Sequence, residues 1–195
     1  MIAGGSGNLQ KIKAVNWVNG SWVGRGMVMH RVMSIWFPQL PFDRRVRMGD
    51  PRVDGPFAIV REIKNALRIT HLSKTAQDGG VTVGQSLPDA RAICPAVLTE
   101  KSDPAREALL LRALWRWSDK LSPWAALDTP DGLFLNITGC AHLFGGEADM
   151  AEYSLTQFSH MQITSRIGIA DTKRAAWGLA RFSGEAIAIA KRGDS

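Results

Sequence analysis

The sequence predicts an α+β fold: an antiparallel sheet with helices on one face, interrupted by a small inserted subdomain. Three observations predict it. Short apolar runs of strand length alternate with longer segments whose apolar residues recur at helical spacing. With residues 43–100 set aside, the order is βαββαβα, close to a split ferredoxin-like layout. Residues 43–100 break that alternation and are dense in arginine.

The first 31 residues read as a leader outside the fold or the product of a start placed too far upstream. They are rich in Gly, Ser and Asn, hold four basic and no acidic residues, and show no sustained period. Residues 32–37 form a short apolar run ended by Pro38, a buried strand. A strand is expected over 57–61 and a short helix over 86–93, with Pro88 in its first turn. Asp103 caps a helix with Pro104 at its first position. Leu110, Leu111, Leu114, Trp115 and Trp117 give it a broad apolar face as far as about residue 121, where Ser122-Pro123 stops it. Strands over 124–128 and 133–138 flank Thr129-Pro130-Asp131-Gly132, whose residues favour a tight turn. A helix over 147–160, a strand over 163–170 and a helix over 172–182 complete the pattern. The expected division is a leader at 1–31, a first strand at 32–42, an insertion at 43–100 and the remainder of the sheet at 101–195.

Composition narrows the function classes. At 45% apolar and 22% charged residues, the chain is an ordinary globular protein. No run approaches bilayer-spanning length, so no membrane partner is expected. Cys94 and Cys140 are too few for a disulfide framework, and a reducing cytoplasm is the expected location. The net charge of +6 is uneven: residues 1–100 carry 13 Lys/Arg against 7 Asp/Glu, and residues 101–195 carry 11 of each. A basic half suits either a solvated surface or a polyanion such as DNA.

Several chemistries fail on spacing. Cys94, Cys140, His142 and His71 lack the paired spacing of a zinc site. Gly4-Gly5-Ser6-Gly7 has neither the Gly-Lys-Ser/Thr close nor the preceding strand of a phosphate loop. No serine sits in a nucleophile elbow.

Four segments, in order and with compatible spacing, carry a resemblance. They are Ser34-Ile35-Trp36-Phe37-Pro38-Gln39-Leu40-Pro41; Gly80-Val81-Thr82-Val83-Gly84-Gln85-Ser86-Leu87-Pro88-Asp89-Ala90-Arg91 through Cys94-Pro95; Asp131-Gly132-Leu133-Phe134-Leu135-Asn136-Ile137-Thr138-Gly139-Cys140-Ala141-His142-Leu143-Phe144-Gly145-Gly146; and Gly168-Ile169-Ala170-Asp171-Thr172-Lys173. Over about residues 32–190 the chain resembles the Y-family translesion DNA polymerases, and more closely their ImuB branch of catalytically deficient relatives. The resemblance implies a polymerase palm interrupted by a fingers-like insertion, in a chain ending before the thumb and little-finger domains.

It also implies a damaged active site. Ser34 stands at the first metal-binding aspartate, and Pro38 and Gln39 at the aromatics that face the nucleotide sugar. The acid pair of the hairpin becomes Asp131 and Gly132, while Lys74 and Gln77 replace the Tyr and Arg that grip the triphosphate. Lys173 is retained. One carboxylate of three remains, and a single Asp cannot place two Mg²⁺ ions. By analogy with single-donor losses of about 3–4 kcal/mol, the transition state should lose more than about 5 kcal/mol of stabilisation. The chain therefore reads as a pseudo-polymerase needing no cofactor; Mg²⁺ enters only if it is an active, template-dependent polymerase after all.

Plainer readings stand beside these. Asp131 is either a hairpin turn residue or a residual metal ligand, and Lys173 a solvated lysine behind an Asp171 cap or a phosphate contact. Arg44, Arg45, Arg47, Arg52, Arg61, Lys64 and Arg68 are DNA-backbone candidates or an exposed face. Trp115, Trp117, Trp124 and Trp177 fit core packing better than a base-stacking platform. The resemblance implies a scaffold role in damage-induced translesion synthesis, with primed or damaged DNA, a sliding clamp, a RecA-like companion and an error-prone polymerase of the replicative type as partners. A truncated gene product is the other expectation.

Overall fold

The computed structural model describes residues 31–193 and, before them, a hairpin of β1 (Asn16–Val18) and β2 (Ser21–Val23). The rest of the expected leader lies outside the described residues, but Arg31 belongs to the fold: it is 2% exposed.

The larger sheet holds β3 (Val32–Trp36), β7 (Ala125–Asp128), β8 (Gly132–Asn136), β9 (Arg166–Ala170) and β10 (Ile187–Ile189). Its order is β10-β9-β3-β8-β7, with β3 central and antiparallel to both β8 and β9. β10 joins the edge in parallel with β9, making the sheet mixed. Alternation along β3 decides the two faces. Met33 and Ile35 point to the main core with Leu133, Leu135, Ile167 and Ile169. That face is covered by α4 (Pro104–Trp117) and α5 (Glu147–His160) through Leu111, Leu114, Met150 and Phe158.

The expected placement of all helices on one face needs correcting. α6 (Lys173–Phe182) packs on the opposite face, where Val32, Phe134 and Ala170 meet Ala176. Ser34 pairs across the sheet with Phe134 and Gly168 on that side. Small residues make a trough there: a Cβ on Gly168 would lie 2.2 Å from the Ala176 carbonyl and 2.5 Å from the Ala180 nitrogen.

Between β3 and α4 the chain builds α1 (Leu40–Arg47) and then a second sheet of order β5-β4-β6. Its strands are β4 (Phe57–Ile63), β5 (Ala66–Leu72) and β6 (Leu98–Lys101). Ser73 caps α2 (Lys74–Asp78) and Ser86 caps α3 (Leu87–Ile93), each accepting a hydrogen bond from the backbone N–H three residues on. Ala58, Val60, Ile69, Ala76, Val81, Ala90 and Val97 form its own small core. The insertion holds more regular structure than its arginine-rich sequence suggests, since α1, β5, α2 and β6 were not expected.

The tryptophans follow the packing expectation. Trp115, Trp117 and Trp124 pack on the main core, and Trp177 packs on the α6 side of the large sheet with Val32, Phe134 and Ala170. Trp115 Nε1 donates to the Ala125 carbonyl at 3.0 Å, so its polar edge is satisfied.

Candidate functional site

Asp131 lies in the turn between β7 and β8, held beside the end of β3. The Phe37 amide donates to its carbonyl at 2.8 Å, and Trp36 Nε1 donates to its carboxylate at 3.0 Å. Gly132 is the first residue of β8 and pairs with Trp36 and Asp128. Ser34 lies two residues before Trp36 on β3, fully buried, and its Oγ has no hydrogen-bond partner among the described residues. Lys173 opens α6 on the same face, with Nζ 4.3 Å from the centre of the Phe134 ring. The cap of that helix is Thr172 rather than Asp171: its hydroxyl accepts from the Ala175 N–H at 3.2 Å. Asp171 instead accepts from Arg31 and from the Gly193 amide.

Three site residues were missed in the sequence: Arg181, Asp128 and Trp36. The Arg181 Nη2 nitrogen lies 3.1 Å from an oxygen of Asp128 and 3.1 Å from an oxygen of Asp131. The guanidinium carbon sits 5.5 Å from the Trp36 ring centre and 4.5 Å from that of Trp177. Burial pushes the Asp128 carboxyl above its ordinary pKa, against the opposing pull of Arg181 and Lys173. A signal for Arg181 existed: Lys173, Trp177 and Arg181 fall at four-residue steps and so share one face of a helix.

Lys74 and Gln77 are exposed on α2, and Lys74 pairs with Asp78. With Gln39 they line an open groove of about 880 Å³, shared with Asp43 and Thr164 but with none of Ser34, Asp131 or Lys173. Gln39, Lys74 and Gln77 are thus brought together, while Lys173 stands apart from them.

The basic candidates divide by partner. Arg44 is buried, with one nitrogen toward Met48 sulfur, and Arg47 donates to the Met161 carbonyl. Arg45 and Arg52 both pair with Glu100, and Arg52 also with Asp50, tying α1 and the loop after it to β6. Arg61 reaches Ser102 and Glu107, and Arg68 donates to the Gly84 carbonyl. Lys64 is exposed at the turn of the β4–β5 hairpin.

This face does not fit the divalent metal that a polymerase palm implies. Mg²⁺ needs near-octahedral oxygen ligands. Of the three positions at which the resemblance implies metal ligands, Ser34 is a sealed hydroxyl, Gly132 has no side chain, and Asp131 is engaged by Trp36 and Arg181. Among the described residues, no three His, Cys, Asp or Glu side chains come together to hold an ion.

A sheet with a central first strand, an acid on the adjoining hairpin and a small sheet inserted after that strand defines a Y-family-polymerase-like palm and fingers. Solved structures agree on the fold. The post-insertion binary complex of Dbh DNA polymerase aligns with a TM-score of 0.69 at 14% identity, covering 83% of this chain and 48% of that one. DinB from Sulfolobus solfataricus aligns with a TM-score of 0.62 at 16% identity, covering 82% and 48%. The model of the impB/mucB/samB family matches residues 44–181, most of the chain, and the chain belongs to that family. It is 44% identical over 115 residues to Protein ImuB of Caulobacter vibrioides, a stretch covering 59% of this chain and 25% of that protein. The chain therefore spans about a quarter of that relative's length.

Proposed function

We propose that this protein is a non-catalytic member of its family, acting in DNA repair and translesion synthesis as a DNA- and protein-binding scaffold in the cytoplasm. The observation that carries the reading is the loss of two of the three carboxylate positions, to Ser34 and Gly132, on a face where Ser34 is sealed and unpartnered. Polymerisation draws its acceleration from placing metal ions and neutralising charge, and this face lacks the ligands for both. The groove with Lys74 and Gln77 in place of Tyr and Arg supports the same reading, because neither residue forks onto phosphate as Arg does.

DNA is the partner supported by the family and the net charge of +6. Lys64, exposed at the turn of the β4–β5 hairpin, is the contact we favour, with Arg61 and Arg68 beside it on the same hairpin. A sliding clamp, a RecA-like companion and an error-prone polymerase of the replicative type are proposed as protein partners on the resemblance alone. Primer extension with Mg²⁺ or Mn²⁺ tests the catalytic half: no template-dependent incorporation above an Asp131→Ala control is expected, and clear incorporation overturns the reading. Binding to primed DNA that weakens steeply with salt is expected for the other half, and no binding at low salt rejects it.

A further inference from the structure

We propose that Arg181 is the resident cation of the palm face: its guanidinium takes the place of a metal ion between Asp128 and Asp131 and keeps divalent cations out. The inference rests on reading this face as derived from a polymerase site. Two carboxylates from opposite sides of one hairpin turn converge on a single nitrogen, each oxygen at 3.1 Å. Two anions focused on one point are what a divalent ion seeks, and here that point is already filled.

Gly132 explains how a guanidinium comes to fit where an acid would stand. A Cβ at this position would lie 3.0 Å from the Asp128 carboxylate, 3.1 Å from the Ile35 carbonyl and 3.2 Å from the Arg181 Nη2 nitrogen. Any larger side chain in the second hairpin position competes with the guanidinium for the same space. The glycine thus leaves room for the guanidinium, which a Cβ here would press at 3.2 Å.

The aromatic rings hold the cation in place. Trp36 and Trp177 both face the guanidinium, and Trp36 also donates its indole N–H to Asp131. Arg181 Nη1 is buried without a hydrogen-bond partner among the described residues, so the rings replace water for that half of the group. Only 11% of the Arg181 side chain is exposed, which leaves a competing hydrated ion little access. The same contacts clamp α6 to the β7–β8 hairpin.

Mn²⁺ titration followed by electron paramagnetic resonance tests this on the whole chain, with folding checked by circular dichroism. Arg181→Met keeps most of the stem and removes the charge; it is expected to bind one Mn²⁺ at least tenfold more tightly than the wild type. The further change Asp131→Asn should abolish that gain, and Arg181→Lys, which restores a cation, should behave as the wild type. A folded Arg181→Met that binds no more Mn²⁺ than the wild type overturns the proposal. Should Arg181→Met fail to fold, the wild type and Asp131→Asn decide alone: equal Mn²⁺ binding supports a filled site, and loss of binding in Asp131→Asn overturns it. Primer extension measures a different property, so the non-catalytic reading stands or falls separately.

Discussion

Asp43 on α1 accepts two hydrogen bonds from Thr164 just before β9, 2.7 Å from its backbone N–H and 3.1 Å from its hydroxyl. The pair joins the helix after the first strand to the loop after α5, at the floor of the groove that holds Lys74 and Gln77. Burial raises the Asp43 pKa to about 6, although both Thr164 bonds pull it down. A carboxyl raised in the folded state binds more protons there than in the unfolded chain between pH 4 and 6. Its contribution to stability therefore falls as pH rises through that window and is constant on either side. The full change is about 3 kcal/mol at 1.36 kcal/mol per pKa unit. Urea melts should show this slope in the wild type and not in Asp43→Asn; parallel pH profiles would contradict the assignment.

Arg31 makes a second long-range tie. It donates to Glu147 at the start of α5, to Asp171 at the end of β9 and to the Ala190 carbonyl after β10. Removing one partner of a buried ion pair leaves the others desolvated. Arg31→Met should cost about 3 kcal/mol, the low end for such losses, because Glu147 and Asp171 are still 19% and 23% exposed. Arg31→Lys should recover little of it, since one ammonium cannot fork onto Glu147 while reaching Asp171. Guanidinium melts that place Arg31→Met within about 0.5 kcal/mol of the wild type would assign Arg31 to the surface.

The elements legible in the sequence are those with strong local signals. Asp103-Pro104 announced α4, and the apolar runs through Met33, Leu133 and Ile167 announced the central strands. α1 was lost because Asp43, Arg44, Arg45 and Arg47 dominate its eight residues, and its buried arginine depends on tertiary contacts no local pattern records. β6 and β10 escaped because each is short and at most half-buried at a sheet edge. At the site, the resemblance singled out Ser34, Asp131 and Gly132, and the fold places them on β3 and the adjoining β7–β8 hairpin. The Arg181 partnership was not legible, because it joins residues 50 apart in sequence across a helix–sheet contact. The side of the sheet taken by α6 was readable only as a spacing of small residues, Gly168, Ala176 and Ala180, whose meaning is steric.

That steric meaning gives two alanine substitutions of opposite sign. Gly168→Ala drives a methyl into the backbone of α6, 2.2 Å from the Ala176 carbonyl, and should cost about 3 kcal/mol or more as the helix is pushed off. Gly178→Ala, within the same helix, meets nothing within 4 Å. It should stabilise by about 1 kcal/mol through helix propensity. Thermal melts of the two variants should move in opposite directions, and a tolerated Gly168→Ala would refute the close packing of α6 on β9.

Ser34 offers the sharpest test of how tightly this face of the sheet is sealed. Its hydroxyl is fully buried and makes no hydrogen bond, so it costs desolvation and returns nothing. Ser34→Ala should be neutral or stabilising by up to about 1 kcal/mol. Ser34→Asp should destabilise by about 3 kcal/mol at neutral pH, because a carboxylate there is desolvated beneath the α6 side of the sheet, and Lys173, over the ring of its cross-strand neighbour Phe134, offsets only part of that cost. The loss should shrink as the pH is lowered and the new acid takes up its proton, which separates a charge penalty from a purely steric one. On the proposed non-catalytic reading, primer extension is expected to be absent from Ser34→Asp as from the wild type, since Gly132 still supplies no ligand and Arg181 still holds Asp131. A Ser34→Asp protein as stable as the wild type at pH 7 would mean that this position is open to solvent, and the account of a sealed palm face would fail with it.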